Sequence, residues 1–92
     1  MPNNTADYTI VSADDGKTFL HEGAVRPPLA TLDNGLFDEF HITVLGPARI
    51  KPPSGHRFID GTAHRPVDSQ ISVPFGTGKD VVKGPSTIWY VV

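Results

Sequence analysis

Apolar residues along this chain come in short alternating runs, each cut by Gly, Pro, Asn or Asp. That rhythm predicts strands, because successive side chains of a strand point to opposite faces. Tyr8 to Ser12 is the first candidate, closed by the Asp14-Asp15-Gly16 turn signal. Lys17 to Glu22 is the second, and the Pro27-Pro28 pair beyond it stops any ladder. Leu29 to Leu32 ends at Asp33-Asn34-Gly35, a strong turn. Glu39 to Leu45 alternates best, with Phe40, Ile42 and Val44 on one face and His41, Thr43 and Leu45 on the other. Ala48 to Lys51 and Arg57 to Ile59 are brief. Thr62 to Ser69 is polar and reads as loop, and Gln70 to Val73, Asp80 to Lys83 and Thr87 to Val92 complete the series.

Turn signals about every 8–12 residues are the spacing of a small sandwich or barrel. The expectation is an all-β domain: a small antiparallel β-sandwich or barrel-like fold with long Gly/Pro loops. Residues 1–7 carry no periodic apolar signal and read as a flexible N-terminal arm. Residues 8–92 then form a single β-domain.

The last run breaks the pattern. Ile88, Tyr90 and Val92 share one face, Thr87, Trp89 and Val91 the other, and neither face is polar. Such a strand must be covered twice, because a bare, uncharged strand of high β-propensity aggregates. Two coverings are consistent with it: a loop of its own chain, or another subunit.

Composition sharpens this picture only in places. Glycine and proline each number 9 of 92, which argues against long helices. Cysteine is absent, so neither a disulfide framework nor a thiolate metal site is available. Lys plus Arg number 8 against 10 Asp plus Glu, a balance that does not mark a nucleic-acid coat or a polybasic membrane protein. No apolar run reaches the ~20 residues a membrane helix needs. Large apolar residues are few, so a thin core is expected, stabilised by subunit contacts or by docking on a larger partner.

Candidate chemistry is sparse. Gly76-Thr77-Gly78-Lys79 resembles a phosphate loop, but Val73 stands where the first glycine is needed, and Asp80 follows the lysine where a hydroxyl should hold magnesium. His56, Asp60 and His64 are spaced four apart, yet Gly55, Gly61 and Pro66 argue against the helix that would align them. The serines sit in no nucleophile-elbow context. Asn3-Asn4-Thr5 matches a glycosylation sequon. No enzyme, cofactor or metal site is expected. Arg49, Lys51, Arg57 and Arg65 make 49–65 locally basic. With Trp89 and Tyr90 they form the candidate partner interface, since Arg and aromatic residues are enriched at such surfaces.

One stretch carries a resemblance. Gly16-Lys17-Thr18-Phe19-Leu20-His21-Glu22-Gly23-Ala24, with Tyr8 before it and Phe40–Leu45, Ile50–Gly55 and Ile88-Trp89-Tyr90-Val91-Val92 after it, resembles a small β-rich module of tailed-bacteriophage virion proteins. The chain departs from that pattern at Val25-Arg26-Pro27-Pro28 and in the basic 56–66 loop. The resemblance implies a hairpin at 16–24 and a structural, non-catalytic role. It implies a capsid cement or decoration subunit on the capsid surface of the virion, with the major capsid protein as partner. The thin core and the two-sided last strand add the expectation of a homo-oligomer, dimer or trimer. A tail-fibre or receptor-binding module is the alternative the resemblance leaves open.

Overall fold

Strand alternation sorts this chain into two layers. A computed structural model describes residues 3–92. Its strands are β1 (Tyr8–Ile10), β2 (Thr18–Phe19), β3 (Leu29–Leu32), β4 (His41–Leu45), β5 (Ala48–Lys51), β6 (Arg57–Asp60), β7 (Ala63–His64), β8 (Ile71–Val73), β9 (Gly78–Lys83) and β10 (Ile88–Val91). A short 3-10 turn, Ser12–Asp14, separates the first two. One sheet runs β1-β3-β5-β8; the other runs β2-β4-β9-β10-β6-β7.

The all-β expectation is met, in sheets that mix parallel and antiparallel pairs. The reason is the path of the chain. From β1 to β6 it passes alternately between the two sheets, so β1, β3 and β5 return to their sheet in the same direction. By the same crossing β2 lies parallel to β4. The turn at Asp14–Gly16 therefore carries the chain from one layer to the other. In place of the hairpin implied for 16–24, Thr18 and Phe19 pair in parallel with Thr43 and Val44. Sequential antiparallel pairing occurs at β6–β7 and β9–β10.

Between the layers lies one hydrophobic cluster. Ile10, Leu32, Ile50 and Val73 enter it from the four-stranded sheet, and Ile42, Val44, Phe58, Val81, Trp89 and Val91 from the six-stranded one. Phe40 stands edge-on to Trp89, ring centroids 6.2 Å apart at 83°, a favoured aromatic geometry. Of the two faces that alternation separates around β4, the one bearing Phe40, Ile42 and Val44 is the buried one. The core is fuller than expected: Phe19, Phe40, Phe58 and Trp89 are all enclosed.

Residues 3–7 of the expected N-terminal arm make specific contacts; Met1 and Pro2 lie outside the described residues. Asn3 bridges Leu20 in parallel, and its side-chain amide both donates to Glu22 O and accepts from Glu22 N. Asp7 accepts from Leu29 N at 2.8 Å. Asn3, the sequon residue, is thus engaged in pairing beside the β2 edge.

Candidate functional site

Three surfaces collect side chains that could act. At the first, the turn between β9 and β10 is closed from inside by a buried lysine. Lys83 Nζ donates to Gly84 O (2.6 Å), Ser86 O (2.7 Å) and Asp38 Oδ1 (3.3 Å), and lies 5.9 Å from the centre of the Trp89 ring. Trp89 Nε1 in turn donates to His56 Nδ1 at 3.1 Å. These contacts engage the Lys83 ammonium and the Trp89 indole N–H. Burial holds the His56 imidazole below its usual value; the Lys83 charge adds to this and Asp68 opposes it.

That direction predicts a pH effect. The folded state takes up a proton at His56 less readily than the unfolded chain, because a protonated Nδ1 can no longer accept from Trp89. Its contribution to stability is fully present above about pH 6.5, the ordinary histidine value. It is lost as the pH falls through the lowered folded-state value. Thermal melts between pH 8 and pH 5 (, roughly this window) should fall more steeply in the native protein than in His56→Gln, which keeps an acceptor without titrating. Parallel curves would refute the linkage.

A second polar pair, a half-buried tyrosine and a buried histidine, lies near the β2 edge. Tyr8 Oη lies 2.8 Å from His21 Nε2, and His21 Nδ1 donates to Leu45 O, which can only accept. Burial pushes the Tyr8 phenol up to about 12, against the lowering effect of Asn4 and with a smaller contribution from Asp14. The phenol stays protonated near neutrality, and the pair ties β1 and β2 to the end of β4.

The third surface is the outer face of the six-stranded sheet. The register places Val82, Tyr90 and Ile59 side by side across β9, β10 and β6, with His41 and His64 at the two ends of that row. Ile88 lies beside Arg57 and Val92 beside Asp80 on the same face. Tyr90 is 41% exposed and Val92 75%. The Tyr90 ring leans over Gly84, where a Cβ would come within 2.6 Å of it. Thr43 Oγ1 donates to Asp80 Oδ1 at 2.6 Å, and Asp15 Oδ1 lies 3.5 Å from His41 Nδ1. Thr43, Asp80, His41 and Asp15 are thereby engaged along one margin, and apolar side chains occupy the centre of the row. At one corner Phe75, 84% exposed, borders a shallow cavity with Leu20 and Leu45.

The expected interface residues do not come together. Trp89 is fully buried and belongs to the core: of the two faces of β10, the one bearing the largest side chain turned inward, where it removes most apolar area from water. Arg49 and Lys51 lie on the outer face of the four-stranded sheet, whereas Arg57 and Tyr90 lie on the opposite side of the molecule. Arg49 donates to Pro27 O and Arg65 to Asp60. Of the set, Tyr90 and Arg57 share a face.

The other motifs resolve simply. His56 is bound to Trp89, Asp60 faces Arg65 and Lys79, and His64 pairs with Ile59 at the sheet edge. Gly78 and Lys79 begin β9, and Thr77 Oγ1 donates to Pro74 O at 2.7 Å, making 74–77 an ordinary turn. Compared with protein-family models, with curated proteins and with solved structures, the chain matches none.

Proposed function

We propose that this chain is a structural virion protein, a capsid cement or decoration subunit that docks on the lattice of the major capsid protein and stabilises the shell. The observation that carries the reading is the outer face of β10. A strand at the centre of a sheet has one face in the core and a second, equally apolar face open to solvent at Tyr90 and Val92. A contiguous apolar stripe rimmed by polar groups is the form of a protein-binding surface. The virion resemblance running through Gly16–Ala24 and Ile88–Val92 supplies the class of partner. Binding an assembled lattice more tightly than free subunits stabilises the shell by mass action.

Electron cryo-microscopy of the parent particle tests this directly. Stoichiometric density on the head surface is expected, and particles that lack it overturn the reading. Tyr90→Lys should weaken binding to purified shells by at least about tenfold, the scale of losing one central aromatic anchor. Its melting temperature should stay close to native, since the ring is on the outside.

A further inference from the structure

The crossing path of the chain has a consequence on the other side of the molecule. β1, β3 and β5 are parallel, so all three end at the same edge of their sheet. The segments that follow β3 and β5, with Thr9 of β1 and with Asp68 and Gln70 ahead of β8, wall a cavity of about 620 Å³. That volume lies within the about 300–1,000 Å³ of small-molecule sites. Thr9 and Thr31 stand in its sheet wall, and Leu32, Pro52 and Pro53, all buried, supply its apolar lining.

Several polar side chains in this lining are left without a partner by the rest of the fold. Every aspartate but one is engaged: Asp7, Asp14, Asp15, Asp38, Asp60, Asp68 and Asp80 all accept hydrogen bonds. Asp33 accepts none among the described residues, and it lines this cavity. Lys17, Lys79 and Lys83 face carboxylates. Lys51 has no such partner among the described residues, and it lines the same cavity. Asn34, Ser54 and Gln70 join them there, with no side-chain partner of their own among the described residues.

We propose that this cavity binds a neutral saccharide. Its lining offers a free carboxylate, a free ammonium, two amides and several hydroxyls, so it presents acceptors and donors together. An anion would meet Asp33 and Asp68, and a cation would meet Lys51. A sugar hydroxyl both donates and accepts, and uses such a mixed set without leaving a charge opposed. With no aromatic platform in the lining, affinity falls in the millimolar range.

The inference goes beyond shell docking and is separable from it, because this cavity and Tyr90 lie on opposite faces. The test is a titration of the ¹⁵N-labelled full chain with glucose, galactose, mannose and N-acetylglucosamine, with glycerol as the control polyol. Saturable amide shifts at Thr31, Asp33, Asn34, Lys51 and Gln70 are expected for at least one sugar, with no saturation by glycerol. Asp33→Ala and Gln70→Ala, both at exposed positions, should each weaken that binding by about tenfold while the rest of the spectrum is unchanged. Tyr90→Lys should leave it intact. Failure of all four sugars to saturate, equal shifts with glycerol, or native affinity in Asp33→Ala overturns the proposal.

Discussion

Replacing Gly46 with alanine should unfold much of this protein at temperatures where the native chain is stable. A Cβ at Gly46 would lie 2.0 Å from Pro74 O and 2.4 Å from Val73 O. Both are backbone atoms, so no side chain can swing aside. Gly46 N donates to Thr77 O at 2.9 Å, and Gly46 bridges Phe75, which holds the two segments at this separation. Relief requires moving 45–47 away from 73–75. That would pull apart the pairing of Ala48 with Val73 at the start of β5. Overpacking of this kind, with a broken ladder, costs at least about 3 kcal/mol. For a domain of this size that is a fall of about 12–24 °C in melting temperature. Gly23→Ala is the control. Gly23 has φ +78° with nothing within 4 Å of the added carbon, so only backbone strain of about 1 kcal/mol is expected. Trp89 fluorescence during thermal unfolding reads both variants. Equal melting temperatures for the two would show that Gly46 is not tightly enclosed.

Which parts of this arrangement were legible beforehand follows from the range of each signal. Period-two alternation is local, so it groups Phe40, Ile42 and Val44 on one face and bounds most strands to within a few residues. Sheet membership is not local. A turn such as Asp14-Asp15-Gly16 looks the same whether it closes a hairpin or hands the chain to the facing layer, and here it does the latter. For that reason the parallel pairs were not foreseen. The basic stretch 49–65 is continuous along the chain, but Arg49 and Arg57 fall in different sheets, so nearness in sequence did not become a patch. In β10 both faces are apolar, and alternation cannot say which turns in. Only the packing partners, Phe40 and Phe58, decide for Trp89. The polar cavity gave no sequence signal at all. Its residues come from separate turns, and what sets Asp33 and Lys51 apart is that the other aspartates and lysines already have partners.

Lys83→Met should cost about 2–3 kcal/mol, although it puts an apolar chain of similar length into an apolar site. Parity along β9 aims Lys83 inward with Val81, so its side chain enters the core and turns back on its own strand end. Three bonds are lost, and they are not equal. Asp38 is 70% exposed, so its ion pair is worth little and Asp38→Asn should change stability by less than about 0.5 kcal/mol. Ser86 O sits in an exposed turn, where water can replace the ammonium. Gly84 is buried, and its carbonyl would be left without a donor, at about 1–3 kcal/mol for an unsatisfied group. The cation contact with the Trp89 ring adds about 0.5–1 kcal/mol. Lys83→Arg should not restore the loss, because a planar fork cannot reproduce three donors fanned from one nitrogen. Urea unfolding followed by Trp89 emission separates the cases: Asp38→Asn near native, Lys83→Met and Lys83→Arg both shifted to lower midpoints. A Lys83→Met midpoint equal to native would refute the account. The ammonium fixes the Gly84–Thr87 turn from below, that turn feeds β10, and Tyr90 rests on Gly84 from above. Loosening the turn therefore loosens the docking face. In Lys83→Met, binding to shells should weaken even at temperatures where the domain remains folded.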